Sequence, residues 1–408
     1  MLAAQLIGTR SGERRGGTGP GRRAARILRR SAALAAVLMM SMASAALAQT
    51  AERQVGETQV FTTLPYPGNP GGLAINGKTL YVDSSGGNFD RAFDGRDAIF
   101  AYDLRTGQLL AERPNPIWVT RQSPVAPMGL AGIALDAAGR IYVADMNGRV
   151  DRVDPETGAQ AVYATFPTGT YTSFTDMPSF LAFTGDGSLN VSEGAGPPII
   201  WRVPPGGGEA QAWYVDPRLA GSYGSSVVGL AVDPSGQYLY FAAGNQAPGV
   251  VVYRLPFAHP DVDHLEVVHR YSDVVVTPCQ PEPTFNYPNC LAAQVFGAAG
   301  IAFGKSGKLY VALLAKNQVS ILAPDGSEQA RFPSPAENAE REVPFSGPFG
   351  VAFDGRGSLL VANIGEPTLG YGPDGSPPPG GLPSSSSWAV FDIYVNDTAS
   401  RLIRPVIP

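Results

Sequence analysis

GIALDAAGRIYVADMNGRVDRVD, Gly132–Asp154, decides the fold. A short apolar run leads into a turn at Asp136–Gly139. A second apolar run then reaches Ala144, and a third segment of strand character follows the loop at Asp145–Gly148. Alternation broken by Asp, Asn and Gly is the pattern of a β-hairpin extended by a further strand.

The same pattern returns along the chain. GLAINGKTLYVDSS begins at Gly72, FLAFTGDGSLNVSEG at Phe180 and GLAVDPSGQYLYFAAGN at Gly229. GIAFGKSGKLYVALLAKN begins at Gly300 and GVAFDGRGSLLVANIG at Gly350. A third strand follows most copies (AIFAYDL, IIWRV, VVVYRL, QVSILA), then a fourth (QLLAERP, AQAVYATF, EAQAWYV, EQARF). Six units of about 50 residues, four strands each, predict an all-β, six-bladed propeller of antiparallel blades over 49–408, because radial stacking covers both faces of each small sheet. Gly (49) and Pro (37) are plentiful and charge is low at 16%, as turns between short buried strands require. Two ring closures remain open: Glu57–Pro65 as the outer strand of blade six, or a C-terminal third and fourth strand. Two stretches break the period, 254–296 and 364–387, and are expected to be long inserts.

The repeated Gly-[Ile/Leu/Val]-Ala hairpin resembles the blade motif of the senescence-marker/gluconolactonase superfamily and its NHL-repeat relatives. That resemblance implies a propeller and, in the lactonase branch, a divalent cation such as calcium. There the ion is held by Glu, Asn and Asp just before the first strands of blades. Here those positions are Gly71, Ala131, Ser179, Val228, Ala299 and Phe349, so the triad does not carry over in register; a shift of one or two residues brings in Asn69 or Asp176. The virginiamycin B lyase branch uses His and Glu. The three histidines, His259, His264 and His269, instead fall within the first insert, at spacings matching no zinc motif, and read as surface residues.

The loops after the second strands carry Asp83, Asp145 with Asn147, Glu193, Asn245 with Gln246, Asn317, and Asn363 with Glu366. They form either a polar ring at the channel mouth or a set of turn-capping side chains. Asp90, Asp94 and Asp97 form a further acidic cluster, expected to be a solvated loop. Two functions stay open. One is a ligand- or protein-binding propeller using the polar mouth. The other is a metal-dependent lactonase-type hydrolase with Asp145, Glu193 and Asn245 as substitute ligands and calcium as cofactor.

Residues 1–30 carry eight Arg and one Glu, and the apolar run Ser31–Ala48 closes on Ala-Leu-Ala. This is the layout of a secretory signal peptide, and Arg29-Arg30 leaves Sec and twin-arginine export both open. A secreted or periplasmic protein without a lasting membrane anchor is expected. Without that leader the whole-chain net charge of −5 becomes −12, which excludes a basic footprint for nucleic acid. Cys279 and Cys290 bracket a Pro-rich loop and in an exported protein read as a disulfide.

Overall fold

The structure is a computed structural model. It describes residues 53–66, 68–84, 95–122, 129–167, 177–194, 198–219, 227–246 (without the side chains of 244–246), 249–274, 297–365 and 388–408. Cys279, Cys290, Glu366, Asp90, Asp94, Asp176, the leader, and the side chains of Asn245 and Gln246 lie outside them. No helix among the described residues is long and apolar enough to cross a membrane.

Residues 54–408 form one compact unit of six small sheets, antiparallel apart from a two-residue parallel pairing of Gly208–Glu209 with Ala164 and Thr165, the six-bladed propeller expected. The innermost strands are Pro70–Asn76, Leu130–Leu135, Pro178–Phe183, Val228–Val232, Ile301–Phe303 and Pro348–Phe353. Each packs on the next, and the last packs on the first. The ring is closed by the N-terminal strand Thr58–Thr63, which pairs with Ala389–Asp397 as the outer strand of blade six, Thr58 opposite Ile393. A blade joined from both chain ends ties the termini together and leaves no open seam.

The recurring Gly at the strand opening is a packing requirement. A Cβ on Gly132 would press on the Ser179 carbonyl and lie 2.8 Å from Phe180 Cα. One on Gly350 would press on the Gly71 carbonyl and lie 3.0 Å from Gly72 Cα. Neighbouring inner strands thus meet backbone to backbone, which only glycine permits.

The Asp of the Asp-x-x-Gly turn caps its own hairpin. Asp136 accepts from the amides of Ala138 (3.0 Å) and Arg140 (2.9 Å), and Asp354 from those of Arg356 (2.7 Å) and Ser358 (2.9 Å). Blade five has Gly304 there instead. Asp397, from the end of blade six, fills the place, accepting from Ser306 N (3.2 Å) and Tyr310 Oη (3.0 Å).

Two assignments need correction, and the open ring closure is resolved in favour of the N-terminal strand. The outer strand of blade one is Ile117–Thr120, not QLLAERP. Asn115 Nδ2 donates to Ala101 O (2.7 Å) and Leu110 O (2.8 Å), so the chain turns twice before pairing resumes. The first part of the expected 254–296 insert is regular blade: Gly249–Pro256 and Glu266–Tyr271 are the third and outer strands of blade four, joined by a long hairpin. The C-terminal residues after Asp397 form no fourth strand. They cross the end of the channel where the inner strands finish, from blade five (Ser400 N to Phe303 O, 3.0 Å) to blades one and two (Arg404 Nη1 to Asn76 Oδ1, 3.2 Å; Ala137 N to Pro405 O, 2.9 Å).

Candidate functional site

Propeller sites form on the axis, so its two ends decide the chemistry. At the strand-opening end, the Phe180 and Phe349 rings stack at 5.1 Å between centroids with 29° between planes, each only 8% exposed. These residues belong to blades three and six, which face one another across the ring. Among the described residues, two stacked phenyl rings thus occupy the axis at this end. Below them the six repeat alanines, Ala74, Ala134, Ala182, Ala231, Ala302 and Ala352, line a cavity of about 200 Å³ whose other end is covered by Ala399–Arg404.

Of the predicted polar residues that the structure describes, Asp83, Asp145, Asn147, Glu193 and Asn363 are completely buried and Asn317 is partly exposed. They grip backbone. Asp83 Oδ1 accepts from Gly72 N at 2.6 Å. Asp145 Oδ2 accepts from Gln122 N at 2.7 Å, while its Oδ1 accepts from Asn147 N at 3.0 Å and from the Asn147 side-chain amide. Glu193 accepts from Met177 N (2.5 Å) and Trp201 Nε1 (2.9 Å). Asn317 accepts from Gly347 N (2.9 Å), and Asn363 accepts from Ser346 N (2.6 Å) while donating to Pro344 O (3.1 Å). In most blades, then, the acid or amide ending the second strand fastens the segment that enters an inner strand. This is side-chain capping of backbone donors that would otherwise be buried without partners.

The expected solvated acid Asp97 is instead buried in an ion pair with Arg121, both side chains wholly inaccessible. Sequence reading missed this pair because the two residues lie 24 positions apart.

Burial pushes the Asp83 carboxyl well above the ordinary carboxylate range, and the nearby Asp97 charge adds to that, against the pull of the Gly72 amide. Its Oδ2 finds no hydrogen-bond partner among the described residues. An acid that is harder to ionise when folded binds more protons in the folded state, so its contribution is most favourable below about pH 4 and is lost as pH rises. Asp83→Asn, keeping the acceptor for Gly72, is expected to stabilise the fold by about 1–3 kcal/mol at pH 8 and by little near pH 4. Urea unfolding at the two pH values checks this, and an equal effect at both would refute it.

No protein-family model matches the chain, and no curated protein matches it by sequence. Its structure matches solved propellers. A calcium-binding protein, regucalcin, from Agrobacterium tumefaciens aligns at TM-score 0.51 and 13% identity, covering 86% of this chain and 99% of that one. A gluconolactonase from Xanthomonas campestris aligns at 0.48 and 14%, covering 83% and 90%. Virginiamycin B lyase from Staphylococcus aureus aligns at 0.46 and 15%, covering 75% and 82%. The chain shares a six-bladed propeller fold with the regucalcin structure. At these identities the likeness is one of fold alone.

Among the described residues, no three carboxylate or imidazole groups converge at the strand openings as an axial cation of the lactonase kind would need, and the Asn245 side chain lies outside them. A hard cation needs several oxygens within about 2.3–2.6 Å of one point. At the strand openings the described residues instead present Phe180 and Phe349, while Asp145 is engaged by Gln122 N, Asn147 and Arg149 and Glu193 by Met177 N and Trp201 Nε1. Among the described residues, the trio of His, Cys, Asp or Glu with convergent ligand atoms lies elsewhere, at His259, Asp261 and His264.

Proposed function

We propose that the chain is an exported recognition propeller, binding a protein or hydroxyl-rich ligand on the face of its strand openings, and not a hydrolase. The carrying observation is the Phe180–Phe349 stack, which fills the place where an axial site would hold metal and substrate. The capping roles of Asp145, Glu193 and Asn363 support the reading, since groups of catalytic type are used to fasten the ring. Export rests on the basic and apolar leader at 1–48, and predicts a mature N-terminus near Gln49 in the exported fraction by terminal sequencing.

The deciding experiment is hydrolysis of a panel of γ- and δ-lactones by chelator-treated protein after readdition of calcium, magnesium, manganese or zinc, with Glu193→Gln in parallel. The expected result is no metal-dependent turnover in either protein. Glu193→Gln should still lose about 1–3 kcal/mol of stability, because an amide N–H would face the Trp201 N–H. Turnover that needs metal and disappears in Glu193→Gln would overturn the reading and establish a hydrolase with Glu193 in its site.

A further inference from the structure

The hairpin between the third and outer strands of blade four carries HPDVDH, His259–His264, on the face opposite the strand openings. Its backbone folds back on itself. His259 N donates to Pro256 O (3.2 Å) and Asp261 N to His259 O (2.9 Å). Asp261 Oδ1 accepts from Asp263 N (3.0 Å) and His264 N (3.2 Å). Blade three holds the loop from outside, Arg218 Nη2 donating to Val262 O at 2.9 Å. This folding cancels the sequence spacing. The His259 and His264 rings stack at 4.9 Å with 22° between planes, His264 Nδ1 lies 2.7 Å from Asp261 Oδ1, and one ligand atom from each of the three residues falls within 4.8 Å of the others.

We infer that His259, Asp261 and His264 form a surface site for a borderline transition cation of the zinc class, with coordination positions left open to water or a ligand. Two imidazoles and one carboxylate are the donor set such ions prefer, whereas calcium selects all-oxygen shells. Ligands at about 2.0–2.1 Å from the ion must draw somewhat closer than they stand here. All three side chains are exposed, so rotamer changes suffice while the anchored backbone stays in place. Two of the three histidines in the 408-residue chain lie in this one hairpin. The third, His269, is engaged elsewhere, its Nδ1 at 2.9 Å from Gly326 O and its ring 4.4 Å from Tyr271. The site is independent of the recognition reading, being on the other face of the disc.

The test uses the full chain purified without a polyhistidine tag and stripped with chelator. Calorimetric titration with zinc should give one equivalent, and cobalt should give a d–d absorption band of the same stoichiometry. His259→Ala and His264→Ala should each weaken zinc by about tenfold or more, since even outer-shell losses cost roughly 10–100-fold. His269→Ala should bind as wild type, and calcium should not compete. Circular dichroism confirms that the variants fold. Absence of stoichiometric zinc binding, or zinc binding retained in both His259→Ala and His264→Ala, would overturn the site.

Discussion

Gly132→Ala is expected to destabilise the protein by about 3 kcal/mol or more, at the upper end for overpacking. The added methyl would meet the Ser179 carbonyl and Phe180 Cα of the neighbouring inner strand, and both are backbone. A flexible side chain could swing away, but a strand hydrogen-bonded within its own blade cannot retreat without opening the ring. The cost therefore falls on the contact between blades two and three. Gly185→Ala is the control, since a Cβ there meets nothing within 4 Å and no left-handed backbone is involved. It should stay within about 0.5 kcal/mol of wild type. Urea unfolding of both variants decides the matter, and similar stability in the two would remove close strand approach as the reason for the repeated glycine.

Arg121→Met is expected to cost about 3–5 kcal/mol near neutral pH, because it removes one partner of an ion pair whose two side chains are both wholly inaccessible. The pair joins the third strand of blade one (Arg96–Asp103) to the residue following its outer strand, so the loss should also loosen that edge. The double variant Asp97→Leu/Arg121→Met should recover much of the stability, since a buried pair exchanged for apolar groups is often near neutral. Equilibrium unfolding of both variants supplies the comparison. A loss under about 1 kcal/mol in Arg121→Met would show that Asp97 is not held in a dry environment.

Much of the fold is legible in the sequence because the propeller is built from local units. The hairpin GIALDAAGRIYVAD declares itself by alternation and by an Asp that caps its own turn, and both signals act within ten residues. Outer strands are harder to read. In blade four a hairpin lengthened by Pro, Asp and His hides a regular strand, and in blade one Asn115 delays pairing through bonds to Ala101 and Leu110. For the candidate site, residue types were readable and roles were not. The acids and amides at the second-strand ends were identified by position, but whether they face a ligand or backbone depends on segments brought in from elsewhere. Met177 and Trp201 meet at Glu193 only in the folded blade.

The sequence by itself determined the class of fold, the number of blades and the Gly-x-Ala register of the inner strands. Each depends on interactions within about one blade, where spacing is geometry. Only the tertiary structure decided that Phe180 and Phe349, 169 positions apart in sequence, stack on the axis, and that His259, Asp261 and His264 converge. It alone showed Asp397 taking the place of the aspartate missing at Gly304. These contacts join elements whose approach is set by ring closure, when the N-terminal strand completes blade six and the tail crosses the channel. No periodicity along the chain encodes a distance across a ring.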